Sequence, residues 1–499
     1  MPPIDPTFLA LPLNRLAEAA LSRAEQLGCT HADIRVERIR QAVRSYRDGA
    51  LQTNSDGQSQ GLAVRVVHEG TWGFASDIVL TTDAAAELAV RAVATARLAR
   101  PLSAQPVELA PEPVYADVTW CSAYQVNPFE VPEAEQQARM LELSARLTRA
   151  DGVTHTNATV AYVQENKFYA DLAGTSTRQQ RVRIEPEFTA VHVGQGGFSS
   201  MRTLAPPAGR GWEYLTGTGW DFDAEIDQLP EQLAEHVAAP SVTAGATDLV
   251  IDPSNLWLTI HESIGHATEL DRALGYEAAY AGTSFATYDQ LGSLRYGTSK
   301  MNVTGDRSVQ HGLSTIGYDD EGVAGQSFDL IRDGVLVGYQ LNREMAAAKD
   351  FGRSNGCSFA DSPGHIPMQR MPNVSLQPEV GGPTTEELIS GVESGIYIVG
   401  DKSWSIDMQR YNFQFTGQRF YRIERGRLAG QLRDVAYQAT TTDFWGAMEA
   451  VGNEQTYLLG GASNCGKGQP GQVAPVSHGC PSALFRGVNV LNTAAEGAE

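Results

Sequence analysis

The residues with the most chemistry in the shortest stretch are His261-Glu262-Ser263-Ile264-Gly265-His266. Imidazole nitrogens ligate transition metals, and a carboxylate beside them can act as a base toward water. The group follows the apolar run Leu256-Trp257-Leu258-Thr259-Ile260, which has no turn chemistry, so a buried helix is expected to carry it. The spacing is awkward for that helix. Residues four apart differ by about 40° in azimuth and residues five apart by about 140°. Two ligands five apart reach one ion only if the helix deforms, and a π-bulge absorbs one such residue. A distortion between Glu262 and His266, eased by Gly265, is therefore expected.

Two nitrogens do not complete a site, and taken alone they also admit a chance pairing. Candidates for a third ligand are Glu269 and Asp271 nearby, and His311, Cys357, His365, Cys465, His478 and Cys480 farther along the chain. Cys465 stands out by its setting in Gly460-Gly461-Ala462-Ser463-Asn464-Cys465-Gly466-Lys467-Gly468, which reads as a flexible polar loop. Lys467 beside it would favour the thiolate, the ligating form. By itself a lone loop cysteine also reads as an inert exposed thiol. Two imidazoles and a thiolate suit zinc and leave a fourth position for water. The same stretch imitates nucleotide loops. Gly461 to Gly468 approaches a P-loop but has Gly468 where Ser or Thr must hold magnesium, and Gly466, Gly468 and Gly471 spell G-x-G-x-x-G. Gln469-Pro470-Gly471 and Pro475 leave no room for the helix both motifs need, so nucleotide binding is rejected.

The rest of the chain must position this chemistry. Its 499 residues exceed one ordinary domain, and a hydrophobic content of 42% supports real cores. A formal charge of -21 without any basic run argues against nucleic acid as a partner. Met1-Pro2-Pro3-Ile4-Asp5-Pro6 lacks a charged segment leading into an apolar one, so no secretory signal is expected, and no apolar stretch reaches the length of a membrane span. Five sparse cysteines fit a reducing cytoplasm.

Residues 13–27 and a stretch from Asp83 read as amphipathic helices around strand patterns at 32–37, 42–46, 62–67 and 71–75, with Asp48-Gly49 as a hairpin turn. The proline-rich residues 101–131 read as a connector. A helix from Pro132 to about Ala150 and strands at 159–163, 167–170 and 181–184 follow. The first half thus suggests two repeated units, with Asp48-Gly49 matching Ala173-Gly174 and Gly73-Phe74-Ala75-Ser76 matching Gly197-Phe198-Ser199-Ser200. A helix near 224–237 leads to Ala238-Ala239-Pro240-Ser241. Two domains are expected: residues 1–240, with helices on antiparallel sheets, and residues 241–499, mainly β and carrying the metal-site helix. The fold class is α+β. Within the second, Phe328–Ile331 with Val335–Leu341, and Phe413/Phe415 with Phe420–Ile423, read as strand pairs.

Several blocks taken together resemble the TldD/PmbA family of metallopeptidases, in its catalytic TldD branch. They are His261–His266 with Glu269 and Asp271; Asp319-Asp320-Glu321-Gly322 with Gly325-Gln326; His365-Ile366-Pro367-Met368 with Arg370-Met371 and Asn373; Asn464-Cys465-Gly466-Lys467 with Gln472; and Gly61-Leu62-Ala63-Val64-Arg65 with Gly73-Phe74-Ala75. The resemblance implies Zn2+ held by His261, His266 and Cys465, and hydrolysis by a metal-activated water with Glu262 as general base. It implies a cytoplasmic enzyme whose substrate is an unfolded or short extended peptide gripped as an added β-strand, and a dimer with itself or with a non-catalytic PmbA-like paralogue. Two segments depart from the family pattern: Ser477-His478-Gly479-Cys480 stands in place of a glycine-rich stretch without His or Cys, and Lys402-Ser403-Trp404-Ser405 in place of a Gly-rich one. Tyr411, Arg410 and His478 are candidates by residue type for stabilising the oxyanion. A peptide-binding or regulatory scaffold with a structural metal is the alternative reading.

Overall fold

A computed structural model describes residues 3–194, 197–468 and 471–496. Met1 and Pro2 of the N-terminal reading, and Gln469 and Pro470 of the glycine-rich stretch, lie outside the described residues.

The chain is α+β. One seven-stranded sheet underlies its first half. His31–Arg47 and Ala50–His68 form a long antiparallel hairpin, turned at Asp48 and Gly49 with φ of 50° and 76°. His155–Asp171 and Ser176–Gly194 form a second. The hairpins join through their first strands, paired from Asp33↔Asp171 to Arg47↔Asn157. Thr71–Asp77 extends one hairpin and Gly197–Arg202 the other. Leu13–Gln26 and Thr82–Ala99 cover the first unit, and Glu133–Thr148 and Phe222–Ala238 the second. Helix, two long strands, short strand and helix therefore occur twice in order.

Several sequence readings change. The strands expected at 159–163 and 167–170 are one strand, His155–Asp171, and the strand expected at Val335–Leu341 stops at Leu336. The strands expected at 32–37 and 42–46 are one continuous strand. Its partner begins at Ala50, earlier than expected, because residues 52–59 hold no apolar side chain, are exposed and carry no alternation to read. Phe413/Phe415 and Phe420–Ile423 are not a pair but one strand, Asn412–Glu424, whose partners are Ser394–Ile406, Arg427–Leu432 and Val435–Thr440.

In the second half, strands Ser394–Ile406, Gly245–Ile251, Ala483–Asn492, Val435–Thr440 and Asn412–Glu424 pair in that order, and the last returns to the first, closing a five-stranded barrel. The helix Pro253–Ile260 leaves the barrel strand Gly245–Ile251 directly. Asp252 caps it, accepting from the Ser254 amide at 2.9 Å, and Pro253 suits the first helical position. Every residue of the helix is buried, so its polar members need partners. Asn255 donates to the carbonyls of Gly400 and Thr416, both at 2.9 Å, and accepts from the Tyr437 hydroxyl at 2.9 Å. These bonds hold the helix, and whatever follows it, against the barrel wall.

A buried layer of charge joins the two halves. Lys167 lies 2.7 Å from Asp320, and Arg65 lies 2.7 Å from Asp33 and 3.1 Å from Glu321. The block Asp319-Asp320-Glu321-Gly322 therefore belongs to this junction. Burial alone would raise the Asp33 carboxyl, but Arg65 and His31 together outweigh it and hold the group down to about 2. A carboxyl lower in the folded chain than in the unfolded one adds stability above its ordinary pKa, and that stability is lost as pH falls through the folded value. Replacing Arg65 with Met leaves the buried Glu321 carboxylate without its cationic partner and Asp33 with only His31, 3.0 Å away, an expected loss of about 3–5 kcal/mol near neutral pH. Denaturant unfolding should show the loss shrinking below about pH 4, where carboxylates protonate.

Candidate metal centre

At His261 the α-helix gives way to a π-turn spanning His261–Gly265, closed by the His266 amide donating to the His261 carbonyl at 3.0 Å. That bond links residues five apart, so His266 occupies the place a residue four apart holds on an α-helix. The expected distortion is present, and it puts both imidazoles on one side, with ring centroids 4.7 Å apart. The widened turn needs outside partners for its carbonyls. Tyr296 donates its hydroxyl to the Ser263 carbonyl and Gln340 its amide to that of Gly265.

Gly265 serves the turn differently from the expectation. Its φ is ordinary, and an added Cβ would lie 2.6 Å from the sulfur of the buried Met371, whose end would have to shift. Gly265→Ala is expected to cost about 1–3 kcal/mol by overpacking and to weaken metal retention, measurable by thermal unfolding and metal analysis.

Cys465 completes the cluster. Ligand atoms of His261, His266 and Cys465 all lie within 4.8 Å of one another, and the Cys465 sulfur is 3.6 Å from His266 Nε2. All three residues are buried. Among the described residues no other third-ligand candidate joins them. Cys357 and Cys480 are buried elsewhere, His311 lies by the Gly209 carbonyl, and His365 pairs with Asp361 at 2.6 Å.

Cys465 does not sit in the flexible loop its glycine-rich neighbourhood suggests. Residues 458–467 are a strand, not a flexible loop, paired with Gln472–Cys480. The strand that follows also removes the helix that a nucleotide loop requires. Lys467 points away from the thiol, to Glu269 at 3.0 Å, Asp271 at 2.9 Å and the Gln369 side chain at 2.7 Å. Burial pushes the Cys465 thiol up, but His266 and Arg370 together bring it below its usual value.

The surrounding groups orient the donors. His266 Nδ1 donates to Glu269 at 2.8 Å, leaving Nε2 toward the sulfur. Burial would raise Glu269, yet Lys467, Arg272 and His266 hold it well below the carboxylate range, so it is ionised. His261 Nδ1 lies 2.7 Å from Nε2 of His478. Burial keeps His261 below the ordinary imidazole value, the neutral form a metal requires. Glu262 receives a hydrogen bond from Arg410 at 2.7 Å. Burial raises its carboxyl, but neighbouring positive charge, with Arg410 in direct contact, outweighs it and brings it below its usual value. Of the three oxyanion candidates, Arg410 alone lines the cleft. Tyr411 bonds Thr442 at 3.2 Å, and His478 lies behind His261.

The cluster opens on a cleft of about 430 Å³. One wall is the strand Leu458–Lys467, and the other comes from Glu185–Glu187 and Arg202–Pro207 of the N-terminal sheet region, with Trp404 at its side. Lys402-Ser403-Trp404-Ser405 thus contributes a cleft residue, Trp404, that is 54% exposed.

Residues 244–492 match the family model described as the PmbA/TldA metallopeptidase C-terminal domain, and residues 32–96 match its domain 1. The chain belongs to the PmbA/TldD family. A metalloprotease of Methanocaldococcus jannaschii is 26% identical over 466 residues, covering 90% of this chain and 94% of that protein. A zinc metalloprotease TldD homolog of Saccharolobus solfataricus is 23% identical over 489 residues, covering 94% and 98%. The fold is that of TldE from Thermococcus kodakarensis, with a TM-score of 0.71 at 14% identity over 95% of this chain and 99% of that one. The PmbA/TldD chain described here is thus a member of a metallopeptidase family, and its buried imidazole, imidazole and thiol donors fit a borderline-soft divalent ion. Among the described residues, no helix is long and apolar enough to cross a membrane.

Proposed function

We propose that the chain is a zinc-dependent peptidase that hydrolyses unfolded or short extended peptides, with His261, His266 and Cys465 as zinc ligands and Glu262 as general base. The observation that carries this reading is the convergence of those three donors in the cleft that also contains Glu262. Bound there, zinc would supply Lewis acidity toward the scissile carbonyl and acidify water. Arg410 occupies Oε2 of Glu262 and leaves Oε1 to act. That oxygen takes the proton of the attacking water as the new C–O bond forms, and returns it to the departing amine nitrogen as the C–N bond breaks.

The cleft's shape supports the substrate class. Among the described residues, the strand Leu458–Lys467 pairs only with Gln472–Cys480, so its second edge is free along the cleft. An extended peptide can add there through main-chain bonds, which tolerate many sequences. A segment already paired on both sides within a folded domain has no free main-chain groups to offer it. We extend the family resemblance to a cytoplasmic dimer, with a second copy or with a non-catalytic paralogue; sedimentation of the chain alone and of the mixture distinguishes them.

The purified protein is expected to carry stoichiometric zinc and to cut an unfolded peptide while sparing the same sequence within a stable domain. Chelation should abolish cleavage and added zinc restore it. Undiminished cleavage by fully metal-free protein would overturn the proposal.

A further inference from the structure

The residue behind His261 is itself a histidine. His478 Nε2 sits 2.7 Å from His261 Nδ1, so one nitrogen donates the shared proton and the other accepts it. The far side of the His478 ring decides which. Its Nδ1 lies 2.9 Å from the Val374 carbonyl, a group that can only accept. Nδ1 therefore carries the His478 proton. The ring is fully buried, stacked on Trp257 with planes 8° apart, and among the described residues has only His261 and the Val374 carbonyl as polar contacts, so a second proton would leave a buried charge with no anionic partner and the ring is neutral. A neutral ring with a proton on Nδ1 has a lone pair on Nε2, so His261 must donate from Nδ1.

We propose that His478 is a positioning residue that fixes the tautomer and orientation of His261, so that His261 Nε2 presents its lone pair to the metal. The relay runs from His261 through His478 to the Val374 carbonyl. His266 is held by the carboxylate of Glu269, so the two ligand imidazoles have unlike supports, one neutral and one anionic. Outer partners of this kind set ring orientation and ligand strength. The same hairpin serves both purposes, with Cys465 on one strand and His478 on the other. This inference rests on the proposed role of His261 as a ligand.

The test uses the full chain with zinc alone as the probe. Selective 15N labelling of histidine in metal-free protein should show His261 protonated on Nδ1; protonation on Nε2 would overturn the relay without reference to any metal or variant. His478→Leu removes the acceptor and is expected to weaken zinc binding, measured by chelator competition, by about 10–100-fold. His478→Gln keeps an acceptor near the Nε2 position and should recover most of that loss, a rescue that lost packing alone would not produce. Wild-type affinity in His478→Leu, or an equal loss in both variants, overturns the proposal. If His261→Ala also binds zinc as tightly as the wild type, the ligand assignment has failed instead. Should His478→Leu not fold, the 15N measurement and His478→Gln decide the matter.

Discussion

Glu262→Gln is expected to cut peptide cleavage by about 10²–10⁴-fold while leaving zinc content unchanged. The substitution is nearly isosteric, and its amide oxygen can still accept from Arg410, which in the wild type donates at 2.7 Å. What disappears is basicity, because a carboxamide takes no proton at neutral pH. Glu262 lies outside the three-donor cluster, so metal analysis should match the wild type. The guanidinium of Arg410 loses its anionic partner in a part-buried site, so thermal unfolding must accompany the assay to separate lost stability from lost chemistry. Equal cleavage by the variant would remove Glu262 from the mechanism. Loss of zinc along with activity would make it a structural support for the site.

The second large effect belongs to Cys465. Cys465→Ala removes one of three donors, and zinc affinity should fall by more than about 100-fold, since even outer partners of ligands account for 10–100-fold. Cys480→Ala is the matched control. Both thiols lie on the same hairpin and both are buried, but the sulfur of Cys480 faces the Pro253 carbonyl at 3.7 Å. Burial holds that thiol well above its usual pKa, the opposite of what a ligand needs. Its loss should cost about 1 kcal/mol of packing and leave zinc in place. Zinc retained in Cys465→Ala and released in Cys480→Ala would reverse the assignment.

Much of this centre was legible from residue types. The five-residue spacing of His261 and His266 required a deformed helix, and the π-turn supplies it. Cys465 was found through its glycine-rich neighbourhood, but for the wrong physical reason. Gly460 and Gly461 are not hinge residues. An added Cβ at Gly460 would lie 2.5 Å from the Trp257 ring, and at Gly461 2.4 Å from the Val476 carbonyl, so both positions are tightly packed strand. Strands of that kind carry no alternation and read as loops. Arg410 was named only by residue type because its position depends on a left-handed turn residue, φ 64°, far from Glu262 in sequence. His478 was visible as a departure from the family pattern, but only the approach of two distant strands shows what it touches. The charged junction was equally hidden, since Arg65, Asp33 and Glu321 look like surface residues until the two halves meet.

The donors are also separated in time. Cys465 follows His266 by 199 positions, so at ordinary translation speeds the second imidazole leaves the ribosome roughly 10–40 s before the thiol. Throughout that interval the growing chain is itself an unfolded polypeptide, the class of molecule it is proposed to cut. On that proposal it could not yet cut, because neither Cys465 nor the strand edge beside it is in place until the hairpin of Leu458–Lys467 and Gln472–Cys480 closes over the π-turn. On that reading, the order of residues along the chain delays cleavage until the hairpin that brings Cys465 to the two imidazoles has been made.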